Sequence, residues 1–335
     1  MNGAERTLNF LSRQRVDYPP FHPIIMRWAA RYNSVKYSDF CRIPEVKCNA
    51  MIRCAEEFGI DWVTVMSDPW AEASAFGIIV DYPEDSLPVD KSGHLPDART
   101  ASKLRPFDPM ANMRCSNRIE EIRLFRKKAG DDLFIVGWVE GPVAEYVDLR
   151  RASEASVDFL MEPEYVTDAI GIIIESAKRF ITLQAEAGAH CIGIGDAFCS
   201  QIGPELYTRF AFERQKELVD HIHNCGAIAK LHICGNTSPI LPDMIKTGAD
   251  IIDIDHLVPS MAPYVSLIAG NQVFCGKSDP VTVICNGDKR VIEESVMKDH
   301  LESKGRTIVS AGCEITPETS YLNMKLFADS ARNLR

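Results

Sequence analysis

Two neighbouring stretches decide the fold: AIAKLHICG (227–235) and, after a short helical segment, ADIIDID (249–255). Each is a short, mainly apolar run that ends in residues able to do chemistry, as expected of a buried parallel strand whose chemistry appears where it stops. Working outward, six more runs have this character, giving eight candidate strands: Ile24–Arg27, Trp62–Ser67, Leu133–Val139, Cys191–Gly195, Ala227–Ile233, Asp250–Ile254, Gln272–Gly276 and Thr307–Ala311. Between them, Pro163–Ala187, Pro204–Cys225, Pro239–Thr247 and Val291–Lys304 have helical spacing, several with proline near the first turn. Alternating strands and helices in this number predict a (β/α)8 barrel of the TIM type.

The 335 residues, 46% hydrophobic, suit a single barrel domain over 1–335. Helical segments Ala4–Gln14 and Pro317–Asn333 would flank it, the first within an N-terminal cap of about residues 1–20. The stretch 82–109, rich in Pro, Asp, Ser and Gly, is expected to form an irregular loop at the site. The polar start, with Arg6, Arg13 and Arg15, is read as neither a secretory signal nor an anchor, and no run reaches membrane-spanning length. A cytoplasmic protein is expected. Acidic residues outnumber basic ones 47 to 37, and no basic run could follow a phosphate backbone, which disfavours nucleic acid. Eleven cysteines argue against a disulfide framework and suit a reducing, even anaerobic, cell.

The strand ends carry Arg27, Asp68, Glu140, Asp196, His232 with Cys234, Asp255, Lys277 with Asp279, and Cys313. In an extended segment residues two apart point the same way, so His232 and Cys234 converge on one point. Cys313, ending the last strand, is close enough around the rim to join them. Nitrogen and sulfur donors are what zinc prefers, and three protein ligands leave a position open for substrate. A thiol entering there would be deprotonated and become a strong nucleophile. Three other patterns are discounted. His221 and His223 lie two apart on a helix and diverge; Gly193-Ile194-Gly195 lacks the rest of a nucleotide fingerprint; Trp62, Trp70 and Trp138 are mainly core candidates.

His232–Gly235, Gly248–Asp255 and Ser310–Thr319 resemble the zinc methyltransferases of the uroporphyrinogen decarboxylase superfamily, a similarity running from about residue 15 to the end. The resemblance implies zinc on His232, Cys234 and Cys313. It also implies methyl transfer between a corrinoid, carried on a separate small protein, and a thiol such as coenzyme M. Demethylation of a methylated or methoxylated substrate onto the corrinoid is an equal possibility. No Asp-x-His-x-x-Gly motif is present, so the corrinoid is expected from a partner. Asp255, 21 residues past Cys234, is similar in position to the acidic ligand of cobalamin-independent methionine synthase; it or Glu140 is the candidate fourth ligand, or else a carboxylate orienting His232.

Met26–Tyr32 resembles the decarboxylase signature beginning Met-Arg, and Asp68 and Tyr146 match decarboxylase active-site positions. The alternative is therefore a decarboxylase of a tetrapyrrole. In a methyltransferase, Arg27, Arg31, Asp68, Glu140, Tyr146 and Asp196 become the candidate substrate-binding residues.

Overall fold

In the computed structural model, described over residues 1–334, seven strands form one parallel sheet in the order β1-β4-β5-β6-β7-β8-β9. They are β1 (Trp62–Thr64), β4 (Phe134–Glu140), β5 (Cys191–Gly195), β6 (Ile228–Ile233), β7 (Ile251–Ile254), β8 (Val273–Ser278) and β9 (Thr307–Ala311). Seven of the eight predicted strands are present, β5 and β9 with the predicted bounds. Nearly every strand position is buried, which is why these runs read as apolar without alternation.

The exception is Ile24–Arg27. Only single bridges, Phe21 to Val309 and Ile24 to Glu314, occupy the eighth position. His22 N–H donates to Val309 O at 2.9 Å, Val309 N–H to Pro20 O at 2.9 Å, and Asp61 N–H to Phe21 O at 2.9 Å, so the segment closes the ring between β9 and β1. Pro20 and Pro23 lack an N–H, and a regular ladder cannot form across them. From Met26 the chain becomes a helix, Met26–Tyr32, burying Trp28, Ala29 and Ala30. Arg27 therefore sits in a first helical turn and not at a strand end.

The stretch after β1 holds more structure than predicted. β2 (Ile79–Asp81) and β3 (Val89–Ser92) pair antiparallel, followed by a short helix Ala98–Ala101. Trp70 Nε1 donates to Pro88 O at 3.0 Å and ties this hairpin to the helix Trp70–Ala75. Helical structure begins at Cys199, but Gly203, with φ 76° and ψ 167°, divides it just before Pro204, so the predicted helix Pro204–Cys225 starts where expected; a π turn then spans Thr208–Phe212 and the last segment is Glu213–Asn224. Only glycine adopts that φ without strain.

At the amino end of the barrel, helix Gly3–Leu11 packs on Trp62, whose Nε1 donates to Thr7 Oγ1 at 2.7 Å. At the other end, the register aligns Glu140 with Gly195, Gly195 with His232, and His232 with Asp253. Laterally paired residues share a face of the sheet. One row at the carboxyl end of four adjacent strands thus brings Glu140, His232 and Asp253 to the same side.

Candidate functional site

β6 ends at His232 and Ile233, and Cys234 follows at once; Cys313 follows β9 and Gly312. The nitrogen and sulfur atoms of His232, Cys234 and Cys313 all lie within 4.8 Å of one another, the one such grouping of His, Cys, Asp or Glu donors among the described residues. His232 Nε2 is 3.0 Å from Cys234 Sγ, and the two sulfurs are 3.5 Å apart. Gly312 permits this approach. A Cβ there would lie 2.2 Å from the backbone N of His256, so a larger residue would push Cys313 away.

Behind the triad stands Asp253, fully buried, with Oδ2 at 2.9 Å from His232 Nδ1 and 2.7 Å from Lys230 Nζ. A carboxylate at Nδ1 keeps the proton on that nitrogen and presents Nε2 to a metal. Burial works to lower the His232 pKa, but Asp253 and then Cys313 overcome it and lift it to about 9. The Cys234 thiol and His232 stabilise the Cys313 thiolate against burial, so its pKa falls well below the usual thiol value; Cys234 correspondingly keeps its proton. Burial raises the Asp253 carboxyl, yet Lys230 and His232 outweigh it and hold it ionised. The metal-free site thus holds an imidazolium and a thiolate side by side, a donor set of one nitrogen and two sulfurs suited to zinc.

Asp253, not Asp255 or Glu140, is the carboxylate that orients His232. Asp255 Oδ2 accepts from Gly235 N–H at 2.9 Å, and Oδ1 accepts from Leu257 N–H at 3.0 Å and lies 2.6 Å from His256 Nδ1. It pins the loop carrying Cys234. Glu140 Oε1 accepts from Trp138 Nε1 at 3.0 Å. Neither joins the three-atom cluster. The sequence does not single out Asp253, because it lies inside a strand; the one local sign is parity, since Asp253 and Asp255, like Lys230 and His232, are polar residues two apart in apolar runs.

A cavity of about 160 Å³ opens beside the triad, walled by Trp138, Glu140, Asp68, Met66, Ile24 and Glu314 among others. Trp138 lies across Gly193 and Gly195, where a Cβ would come within 2.4 Å and 2.5 Å of its ring. That contact explains the Gly-x-Gly pattern. Asp68 lines the cavity, but its Oδ2 is ion-paired with Arg114 and accepts from Ser67 Oγ at 2.7 Å. Burial raises its pKa, and Arg114 with Arg118 more than reverses this.

Arg27 donates from its backbone N to Glu314 Oε1 at 2.8 Å and from Nε to both carboxylate oxygens at 3.3 Å. With Arg31, which is exposed and 3.5 Å from Glu318, it lines a separate outer groove of about 540 Å³, while its partner Glu314 lines the cavity.

Two expected site residues point elsewhere. Tyr146 is fully buried and donates to Asp158 Oδ2 at 2.8 Å, an oxygen that also accepts from Arg150. Asp196, also fully buried, accepts from Val143 N–H at 3.1 Å, Ala144 N–H at 2.7 Å and Gln215 Nε2 at 2.7 Å. It satisfies the first N–H groups of helix Pro142–Arg150 and does not face the cavity. Lys277 turns toward Asp299, 3.7 Å away, in the outer helices. His221 and His223 find separate partners, Thr182 and Asp250.

Fold and site together define a parallel barrel with three convergent nitrogen and sulfur donors at the carboxyl ends of its strands. The family model of uroporphyrinogen decarboxylase (URO-D) matches residues 2–334, and the chain belongs to that family. Its relatives include decarboxylases and methyltransferases. A uroporphyrinogen decarboxylase of Prochlorococcus marinus is 25% identical over 96% of this chain and 94% of its own length. The methylcobamide:CoM methyltransferase MtbA of Methanosarcina mazei is 27% identical over 87% of each chain. In fold, a methyltransferase structure from Methanosarcina mazei matches with a TM-score of 0.88 at 21% identity, covering 99% of this chain and 98% of the other. A B12-independent methionine synthase from Shewanella matches at 0.57 and 13% identity, over 94% and 95%. No helix among the described residues is long and apolar enough to cross a membrane.

Proposed function

We propose that this chain is a cytoplasmic zinc-dependent methyltransferase that moves a methyl group between a corrinoid on a separate small protein and a thiol such as coenzyme M, or takes it from a methylated or methoxylated substrate. The observation that carries this reading is the convergence of His232 Nε2, Cys234 Sγ and Cys313 Sγ at a cavity, with Asp253 fixing the imidazole. Its methylcobamide:CoM methyltransferase relatives support the same reading. Zinc held there would supply Lewis acidity to a substrate heteroatom.

The chain's own residues do the rest. Asp253 and Lys230 hold His232 in one orientation. Asp255 clamps Gly235 and so the turn bearing Cys234. Trp138, Met66 and Ile24 give the cavity apolar walls that exclude water from the reacting atoms. Arg27 and Arg31, which line the outer groove, would meet an anionic part of the substrate or partner there.

A tetrapyrrole decarboxylase is the second reading, favoured by the decarboxylase relatives and by Asp68 at the cavity. Against it, the Asp68 carboxylate is already bound by Arg114, and the two cysteines would have no task there. The deciding experiment is the metal content of the full-length protein and of His232→Ala, Cys234→Ser and Cys313→Ser, followed by assay with methylcobalamin and coenzyme M. About one zinc per chain, lost in all three variants, with methyl transfer in the intact protein alone, upholds the methyltransferase. A protein that takes up no zinc after reduction and reloading, yet decarboxylates uroporphyrinogen, refutes it.

A further inference from the structure

Beside the cavity lies a group of carboxylates that the site chemistry described so far does not use. Glu140 at the end of β4 leads through Gly141 into helix Pro142–Arg150, which carries Glu145 and Asp148 one turn apart on the same face. Glu72, on helix Trp70–Ala75, reaches in from the opposite side. Its Oε1 accepts from Glu140 N–H at 2.9 Å and its Oε2 pairs with Arg118 at 3.1 Å. Among the described residues Arg118 is the one cation paired with a member of this group, and it serves Glu72.

Glu145 is only 1% exposed, and no protein donor reaches either of its oxygens; Asp148 Oδ2 is likewise buried and unpartnered, though the residue as a whole is half-buried. A carboxylate ion cannot be kept in such a place without a donor or a cation. The four do not bring three oxygens to one point, since among the described residues only the His232 triad has that geometry, so a metal does not neutralise them. Protons do. Burial, and after it mutual repulsion with Glu72 and Asp148, pushes both Glu140 and Glu145 far above the ordinary carboxylate range; burial and Glu72 do the same to Asp148. The other charged groups acting on these three are Arg118, Asp68, Asp90 and Asp196.

We propose that Glu145 and Asp148 form a proton path that joins Glu140, on the cavity wall, to solvent, making Glu140 the group that exchanges a proton with the substrate heteroatom. The inference rests on the methyltransferase reading. When a methylated substrate is demethylated, the bond from carbon to heteroatom breaks, its electron pair stays on the heteroatom, and the methyl passes to a reduced corrinoid. Glu140 in its acid form gives the heteroatom its proton and is reprotonated through Glu145 and Asp148. When a thiol is methylated, its S–H proton leaves by the same route in reverse.

The test is infrared spectroscopy of the full-length protein, in the region of the protonated carboxyl C=O stretch. At neutral pH the wild type should show such bands, one absent in Glu140→Gln and another in Glu145→Gln. After transfer to D2O, the Glu140 band should exchange on the order of 100-fold more slowly in Glu145→Gln. Asp148→Asn, at a half-exposed position, gives the same reading should Glu145→Gln fail to fold. Adding 2-mercaptoethanesulfonate to zinc-loaded wild type should change the intensity of the Glu140 band. Absence of protonated carboxyl bands at neutral pH, unslowed exchange in the variants, or thiol binding that leaves the Glu140 band unchanged would each overturn the path while leaving the zinc reading intact. A protein that shows the bands and the slowed exchange but binds neither zinc nor thiol refutes the methyltransferase reading instead, and the catalytic role of Glu140 with it.

Discussion

Asp253→Asn keeps the shape of the buried side chain and removes its charge. Two cations depend on that charge: His232, with Nδ1 2.9 Å from Oδ2, and Lys230, whose Nζ is 2.7 Å away and whose side chain is 1% exposed. Leaving Lys230 buried without an anion costs about 3–5 kcal/mol. Over a chain of this length that lowers the melting temperature by roughly 4–7 °C. Removing the carboxylate behind a metal-ligating histidine weakens metal binding about 10–100-fold. The two effects separate in Asp253→Asn/Lys230→Met, where no orphaned cation remains: most of the stability should return, while zinc affinity stays low. Calorimetry of the metal-free protein and competition against a chromogenic chelator measure the two quantities. Wild-type zinc affinity in the single variant would refute the role given to Asp253, and equal instability in single and double variants would refute the orphaned-charge argument.

Zinc affinity should rise with pH up to about 9, because His232, with its pKa lifted to about 9, must give up a proton to bind metal. In the metal-free protein the sign is opposite for stability: with its pKa lifted to about 9, the contribution of protonated His232 is complete below its unfolded value near 6.5 and disappears as pH rises through about 9. Chelator competition and urea unfolding across that range check both slopes. Gly195→Ala places a Cβ 2.5 Å from the Trp138 ring and should cost about 1–3 kcal/mol, with a changed near-UV circular dichroism band from the displaced indole. Asp196→Ala strips Val143 and Ala144 N–H and Gln215 of their acceptor, and a loss of about 2–3 kcal/mol in urea unfolding is expected without change in zinc content.

How much of this was legible beforehand varies from element to element, for physical reasons. Buried parallel strands are apolar throughout and stop where polarity begins, so seven strands and the placement of His232, Cys234 and Cys313 at their ends could be read from local pattern alone. Parity brought His232 and Cys234 together, since it depends only on the two-residue repeat of an extended chain. The expected strand Ile24–Arg27 does not form because the spacing of Pro20 and Pro23 in the closing segment, and not apolar content, decides whether a ladder can run there. Register was beyond reach. Which of Asp253, Asp255 and Glu140 stands behind His232 depends on how β6 slides against β7, and a shift of one residue would turn Asp253 to the other face. Asp196 looks like a site residue because it is polar and ends a strand, and Tyr146 because it matches a decarboxylase active-site position, but only packing decides whether a polar group meets the cavity, another side chain or a helix N-terminus. The sequence by itself determined which donors exist and on which strand ends they fall; the tertiary structure decided which carboxylate each donor meets, and which carboxylate oxygens are left buried without a partner.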